Sequence, residues 1–140
     1  IKNSRFLRKS FLQKVFGEQF LKIEEEEDTL SEKNYIFINL VKDFILKNID
    51  QENLTIDEVA SELCMSRTTF FNKWKSLTGE APKYFIYRIR MEKARELLES
   101  GRYSVNVVPE MIGLRNLKNF RHKYKEYFGI TPSESIMKKQ

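Results

Sequence analysis

A short capped helix, a tight turn and a longer capped helix follow one another in residues 55–78, and this pattern constrains the fold more than any other feature of the chain. Thr55 and Glu58 have the spacing of a capping box, which predicts that a short helix begins at Ile56. After a turn of about three residues, Ser66 caps a longer helix. Two helices joined by such a turn are the outline of a helix-turn-helix.

The same outline returns in residues 104–128. Ser104 is predicted to open the short helix, and Asn116 is predicted to open a basic helix that ends before Gly129. Pro109 lies about five residues after Ser104, where it would remove a helical hydrogen bond. The short helix of this second copy is therefore predicted either to begin late or to be distorted.

The remainder of the chain also has apolar residues at helical spacing. Ser31 is predicted to cap a helix that continues to about Ile49, Pro82 starts a long helix to about Ser100, and Thr131 begins a last turn. Only five glycines and three prolines occur, and strand-like alternation is absent. The predicted fold class is all-α, with two helix-turn-helix subdomains joined by a long linker helix and preceded by a helical extension.

Residues 1–30 are predicted to be this helical extension and an acidic linker, separate from a domain at 31–140. Residues 1–23 contain more large apolar side chains than a free solvated helix can expose, so they need a partner surface. These side chains are Phe6, Leu7, Phe11, Leu12, Val15, Phe16, Phe20 and Leu21. We expect a homodimer through residues 1–23, with docking on the domain or on a missing upstream domain as the alternatives.

Composition restricts the classes of function. A formal net charge of +5 favours polyanionic partners, and no apolar run approaches the roughly 20 residues of a membrane span. Cys64 is the single cysteine, which excludes an intrachain disulfide or a cysteine-based zinc site and fits a cytoplasmic location. The single histidine, His122, has no catalytic or metal-binding companion in the sequence, so we expect neither an enzyme nor a cofactor or metal. Cys64 and Met65 are predicted to be buried filler.

Two helix faces carry the candidate function. In the helix after Ser66, Phe70 and Trp74 point to the core, while the opposite face carries polar, basic and aromatic groups of the kind that contact bases and phosphates. These candidates are Arg67, Thr68, Thr69, Phe71, Asn72 and Lys75. An exposed Phe71 would be unusual for an ordinary solvated face, which is the alternative interpretation.

In the second copy, Phe120 and Tyr124 are predicted to point inward. The outer face then carries Lys118, Arg121, His122 and Lys125. An ordinary solvated face would intersperse acids among its cations. Clustered cations are better explained by contacts to the phosphates of a nucleic acid. A protein-interaction module on a helical bundle remains the alternative, and an apolar outer stripe on these helices would favour it.

Three motifs resemble the DNA-binding part of AraC/XylS-type transcriptional regulators. Residues 55–70, TIDEVASELCMSRTTF, with KSLTG at 75–79, resemble the first helix-turn-helix of that family. The linker helix is matched by PKYFIY at 82–87 and RMEKARELL at 90–98. The close of the second unit is matched by GLRNLKNF at 113–120 and YFGITPSE at 127–134. The resemblance covers roughly residues 34–136 and keeps the order and spacing of the family's motifs.

The resemblance implies that two recognition helices enter adjacent major grooves of duplex DNA. It adds Asn116 and Leu117 to the candidate contacts, and it makes RNA polymerase a candidate partner. A basic stretch and an acidic linker before such a domain resemble the junction after a receiver domain in hybrid two-component regulators. Since the chain begins with Ile1 rather than Met, we expect an upstream receiver in a phosphorelay protein, with membrane anchoring further upstream allowed, or else a small-molecule-binding sensor domain.

Four positions depart from the family's pattern. Asn72 stands where arginine is frequent, which puts one phosphate or guanine contact in doubt. Cys64 occupies a turn position that glycine usually holds, Pro109 replaces a small helical residue, and Leu114 replaces a phenylalanine.

Overall fold

The computed structural model describes residues 28–139, and the side chains of residues 32–137 within them. The described residues form helices without any strand, which confirms the all-α fold class. The helices are α1 (Asp28–Lys47), α2 (Ile56–Glu62), α3 (Arg67–Thr78), α4 (Pro82–Glu99), α5 (Val108–Met111), α6 (Leu117–Phe128) and α7 (Pro132–Lys139). The apolar segment at residues 1–23 lies outside the described residues, so its predicted self-association stays a prediction.

Side-chain caps begin three of these helices at the predicted residues. The backbone N–H of Glu58 donates to Thr55 Oγ1 over 3.2 Å at the start of α2. Ser66 Oγ accepts from the N–H of Thr69 over 3.1 Å at α3, and Asn116 Oδ1 caps α6 in the same way over 2.9 Å. Each cap satisfies a backbone donor that has no intrahelical acceptor, which is why short polar side chains mark helix starts in sequence.

Two predicted helix starts, at Ser31 and Ser104, are wrong. Helix α1 already begins at Asp28, three residues before Ser31. Residues 28–31 include neither glycine nor proline, so nothing in their backbone chemistry stops the helix at Ser31. The predicted start at Thr131 is confirmed, since Thr131 Oγ1 caps α7, but α7 has eight residues and is longer than the single turn expected.

Ser104 does not open a helix either. Its carbonyl accepts from the N–H groups of Val107 and Val108 over 3.2 and 3.4 Å, which closes a turn before the helix. Helix α5 begins at Val108, so Pro109 lies in its first turn, where a backbone N–H would have no helical acceptor. Of the two predicted outcomes at Pro109, the late start is the one observed.

We expect Pro109→Ala to lower stability by about 1 kcal/mol, because proline fixes a φ angle that suits a first helical turn and restricts the unfolded chain. Pro109 is also buried, so the smaller side chain loses apolar contact. Thermal unfolding of the two proteins checks this, with Val107→Ala as a control at an exposed neighbour. An unchanged or higher melting temperature for Pro109→Ala would contradict the expected effect.

The described chain divides into two compact units, and helices α1 and α4 each contribute residues to both. The first unit comprises residues 28–46 and 55–86 of the described range. Its core is an aromatic cluster in which Trp74 lies 4.7 Å from Phe85 and 5.9 Å from Phe70 between ring centroids. Phe37 packs against the same cluster at 6.0 Å from Trp74, so α1, α3 and α4 share one apolar centre.

The second unit comprises residues 47–54 and 87–139. Phe120 and Tyr124 of α6 are fully buried, and the hydroxyls of Tyr124 and Ser135 share a hydrogen bond that ties α7 to α6. The guanidinium of Arg90 donates to the carbonyl of Gln51 over 2.7 Å, so this arginine of α4 holds the turn that follows α1. Both hydrogen bonds join elements within the second unit, to which α6 belongs.

Candidate nucleic-acid interface

Helices α3 and α6 are copies of one local design. Each has twelve residues, a polar cap at Ser66 or Asn116, and a left-handed glycine after its last turn, Gly79 or Gly129. The two caps are 50 residues apart, and so are the two glycines. The candidate contacts therefore fall at corresponding positions of the two helices. Thr68 corresponds to Lys118, Phe71 to Arg121, Asn72 to His122, and Lys75 to Lys125.

The outer face of α3 is polar and exposed. Thr68, Asn72 and Lys75 are all exposed, whereas Phe70 and Trp74 on the opposite side are fully buried. Helix α3 contains no acidic residue, so this face carries no charge that would repel a phosphate.

The structure places Phe71 half-buried at the border of this face, and the predicted exposed ring is wrong. Its position follows from the helical period, because Phe71 is adjacent to Phe70 and one turn from Trp74 and therefore flanks the core stripe. The ring is therefore only partly presented on the outer face of α3.

The outer face of α6 is the more basic of the two. Lys118, Arg121, His122 and Lys125 are exposed, as predicted, and Leu117 is half-buried beside them. Among the described residues, Lys118, Arg121 and Lys125 form no ion pair with the protein. Their charges are therefore balanced by solvent ions, which a phosphate backbone can displace.

Two candidate side chains do have partners within their own unit. Arg67 Nη1 lies 3.5 Å from Asp57 Oδ2, and His122 Nε2 lies 3.3 Å from Glu126 Oε2 one turn along α6. All four side chains are more than 60% exposed, so these pairs contribute little and can exchange for contacts to DNA.

Two further candidates take part in the hydrogen bonds of the helix caps. The hydroxyl of Ser66 donates to Thr69 Oγ1 over 2.9 Å while also accepting from the N–H of that residue. Asn116 uses its side-chain oxygen for the N–H of Asn119. Thr69 and Asn116 therefore stand at helix starts mainly as parts of the caps, and their capacity for further hydrogen bonds is reduced.

The inner side of α6 is lined by aromatic residues. Lys123, a further lysine of α6, is half-buried, with its Nζ 5.9 Å from the ring centroid of Tyr87. Burial raises the pKa of Tyr124, and burial together with Glu126 raises the pKa of Tyr87. Both phenols therefore remain neutral at physiological pH and add no charge beside α6.

The turns that precede the two helices each contain one residue with a left-handed backbone conformation, but the residue type differs. Cys64 has a φ angle of 57° and is exposed, so its predicted role as buried filler is wrong, and Met65 is only half-buried. Gly113 takes the same left-handed conformation in the second unit, with φ of 77°.

Two exposed polar residues on these helices were missed by the sequence prediction. Asn119 lies three residues before His122 and is exposed beside it, and an amide next to Lys118 was the signal available in the sequence. Lys73 is exposed on α3, and its Nζ lies 4.3 Å from the ring centroid of Phe37. This cation-π contact holds Lys73 at one border of the α3 face.

Residues 28–139 contain no cluster of histidine, cysteine, aspartate and glutamate with the geometry of a metal site. Within the same range, no helix combines the length and apolar character that crossing a membrane requires.

Comparison with known proteins assigns this geometry to a family. The model of a helix-turn-helix domain family matches residues 59–136, more than half of the chain. Histidine kinase P4 of Formosa agariphila is 33% identical over 87 residues, which are 62% of this chain and 6% of that protein. The chain spans less than half the length of the curated relatives that it matches.

Solved structures share the fold. The C-terminal domain of AraT, a response regulator from Geobacillus stearothermophilus, matches with a TM-score of 0.64 and 26% identity, over 73% of this chain and 84% of that one. The DNA-binding domain of AdpA, solved in complex with a target DNA, matches with a TM-score of 0.60 and 28% identity, over 73% and 90% of the two chains. The chain therefore belongs to the family of AraC-type helix-turn-helix DNA-binding domains.

Proposed function

We propose that this domain binds specific sequences of duplex DNA to regulate transcription, with α3 and α6 as recognition helices in adjacent major grooves. The observation that carries the proposal is the shared design of the two helices. Each buries two aromatic residues on one side and exposes polar or basic groups at corresponding positions on the other. The outer faces bear no apolar stripe of the kind that a protein-interaction module would present there.

The two faces suit different parts of a DNA site. Helix α6 has three cations on its outer face that form no ion pair among the described residues, which favours strong contacts to phosphates and to guanine. On α3, Thr68 and Asn72 are neutral hydrogen-bonding groups, and an asparagine amide can pair with adenine. We infer that α6 supplies more of the affinity, while α3 supplies discrimination between bases that depends less on charge.

Substitutions on α6 test this assignment. We expect Arg121→Ala and Lys118→Ala each to cost on the order of 1–3 kcal/mol of binding, with relaxed preference at one or two base pairs if the side chain contacts a base. Lys125→Ala is expected to weaken all sequences about equally and to reduce the slope of log K against log salt by about 1, as the loss of a phosphate contact does.

The measurement is selection of bound duplexes from a random pool, followed by titration of the selected duplex at several salt concentrations. Arg102→Ala is the matched control, because it removes one exposed cation of the second unit that does not belong to α6. If the α6 variants bind no worse than Arg102→Ala, or if wild type shows no salt dependence, this proposal is wrong.

We further propose that the domain is the output part of a two-component signalling protein. Support comes from two relatives whose names place them in such systems, a histidine kinase and a response regulator. An upstream small-molecule-binding domain is the rival arrangement. The gene sequence upstream of Ile1 decides between a phosphoryl-accepting receiver and a ligand-binding domain. Contact with RNA polymerase and a homodimer through residues 1–23 stay predictions.

A further inference from the structure

Helix α1 exposes an apolar pair that the described residues of its own unit do not cover. Ile36 is 60% exposed and Leu40 is 50% exposed, and a spacing of four residues puts both side chains on one face of the helix. The opposite face of α1 is buried in the core through Phe37, Ile38 and Val41. Within the described residues, no other two of the large exposed apolar side chains lie one turn apart on a helix.

Opposite charges lie at the two ends of this pair. Lys33 is three residues before Ile36, and Asp43 is three residues after Leu40, so all four side chains form one stripe along α1. Both charged residues are exposed, and neither has an ion-pair partner among the described residues. The stripe therefore reads, in chain order, as basic, apolar, apolar and acidic.

A stripe with this order is complementary to itself. If two copies of α1 pack antiparallel about a two-fold axis at the level of residue 38, Ile36 of each copy faces Leu40 of the other. The same operation places Lys33 opposite Asp43 twice, once on each side of the axis. A two-fold contact uses one patch on both partners, so complementarity within one helix is what such a contact requires. A parallel arrangement would instead place like charges opposite each other.

We propose that this α1 stripe, consisting of Lys33, Ile36, Leu40 and Asp43, is a self-association surface that binds a second copy of the chain in an antiparallel orientation. The surface is small compared with the roughly 1,000 Å² that a stable interface buries. The contact is accordingly weak in free solution. It becomes effective when two copies are held close together, because tethering raises the effective concentration to about the millimolar range.

Charge exchange in the full 140-residue chain tests the proposal without DNA, so its result is independent of the proposed DNA binding. Sedimentation equilibrium up to about millimolar concentration is expected to show weak dimerisation of wild type. Lys33→Glu places two acids opposite each other at both ends of the contact, and Asp43→Lys places two bases there. Each single variant is expected to weaken dimerisation about tenfold or more, and the double variant to return to within a few-fold of wild type.

The two single variants also separate this contact from a general effect of net charge. The wild-type chain has a formal charge of +5, so Lys33→Glu lowers overall repulsion between copies while Asp43→Lys raises it. General repulsion would therefore move the two dissociation constants in opposite directions, whereas the α1 stripe requires both to rise. Far-UV circular dichroism confirms that every variant keeps its helices.

Ile36→Ser is a further variant expected to weaken dimerisation, since it removes apolar area from the centre of the contact. The proposal is overturned if wild type stays monomeric throughout, if the single variants associate like wild type, or if the double variant does not recover. If wild type and all of these variants dimerise equally, the dimer forms through another surface, such as residues 1–23.

Discussion

Gly113→Ala is expected to destabilise the second unit by on the order of 3 kcal/mol, which would lower the melting temperature by roughly 10–15 °C. Gly113 has φ of 77°, and a Cβ built on it would lie 2.5 Å from the carbonyl oxygen of Ile49 and 3.0 Å from an Nη of Arg90. The carbonyl belongs to backbone and cannot rotate away. Arg90 is fixed by its hydrogen bond to Gln51, so the turn itself must move.

Gly129→Ala is the matched control for this change. Gly129 has φ of 79°, but nothing lies within 4 Å of a Cβ at that position. Only the left-handed conformation is then penalised, at about 1–2 kcal/mol. Thermal unfolding followed by circular dichroism compares the two variants. Equal melting temperatures would mean that the close approach to Ile49 has no energetic consequence.

Trp74→Ala is expected to cost about 3–5 kcal/mol, because it empties the centre of the aromatic cluster in the first unit. Trp74 is fully buried and contacts Phe37, Phe70 and Phe85 with ring centroids no more than 6.0 Å away. The same helix carries the exposed candidate contacts, so the loss of the core also removes the support that orients them. DNA binding is therefore expected to fall together with thermal stability.

Lys75→Ala is the control for Trp74→Ala, because the neighbouring side chain is exposed and faces the proposed DNA surface. It is expected to leave the melting temperature within about 1–2 °C of wild type while weakening DNA binding. Urea denaturation gives the free energies of unfolding, and titration of duplex gives the affinities. If Trp74→Ala unfolds at the wild-type urea concentration, the aromatic cluster is not the core that stabilises α3.

The parts of the fold that could be predicted from sequence depend on contacts between near neighbours. Thr55, Ser66 and Asn116 each cap a helix through a backbone N–H three residues later, so their effect is visible in a short window. The outward position of Lys118, Arg121 and Lys125 followed from helical periodicity in the same way. These features need no knowledge of the rest of the chain.

The features that the sequence did not reveal depend on competition or on distant packing. Ser104 has the chemistry of a cap, but its carbonyl instead closes a turn ahead of Pro109. Phe71 was expected to be exposed, and its partial burial depends on how close the neighbouring core stripe comes. The contact between Gly113 and the carbonyl of Ile49 joins residues that are far apart in sequence, so no local pattern contains it.

The left-handed residues in the two turns give the two units different freedom to evolve. At Cys64, the cost of a Cβ at φ of 57° has already been met and the side chain points into solvent, so exchange for another small or polar residue adds little further strain. An asparagine at position 64 would relieve part of this backbone strain, because asparagine tolerates the left-handed conformation. At Gly113, the space that a first carbon atom would need is occupied by backbone. We therefore expect substitutions to be tolerated at Cys64 and not at Gly113, although both residues turn the backbone in the same left-handed sense.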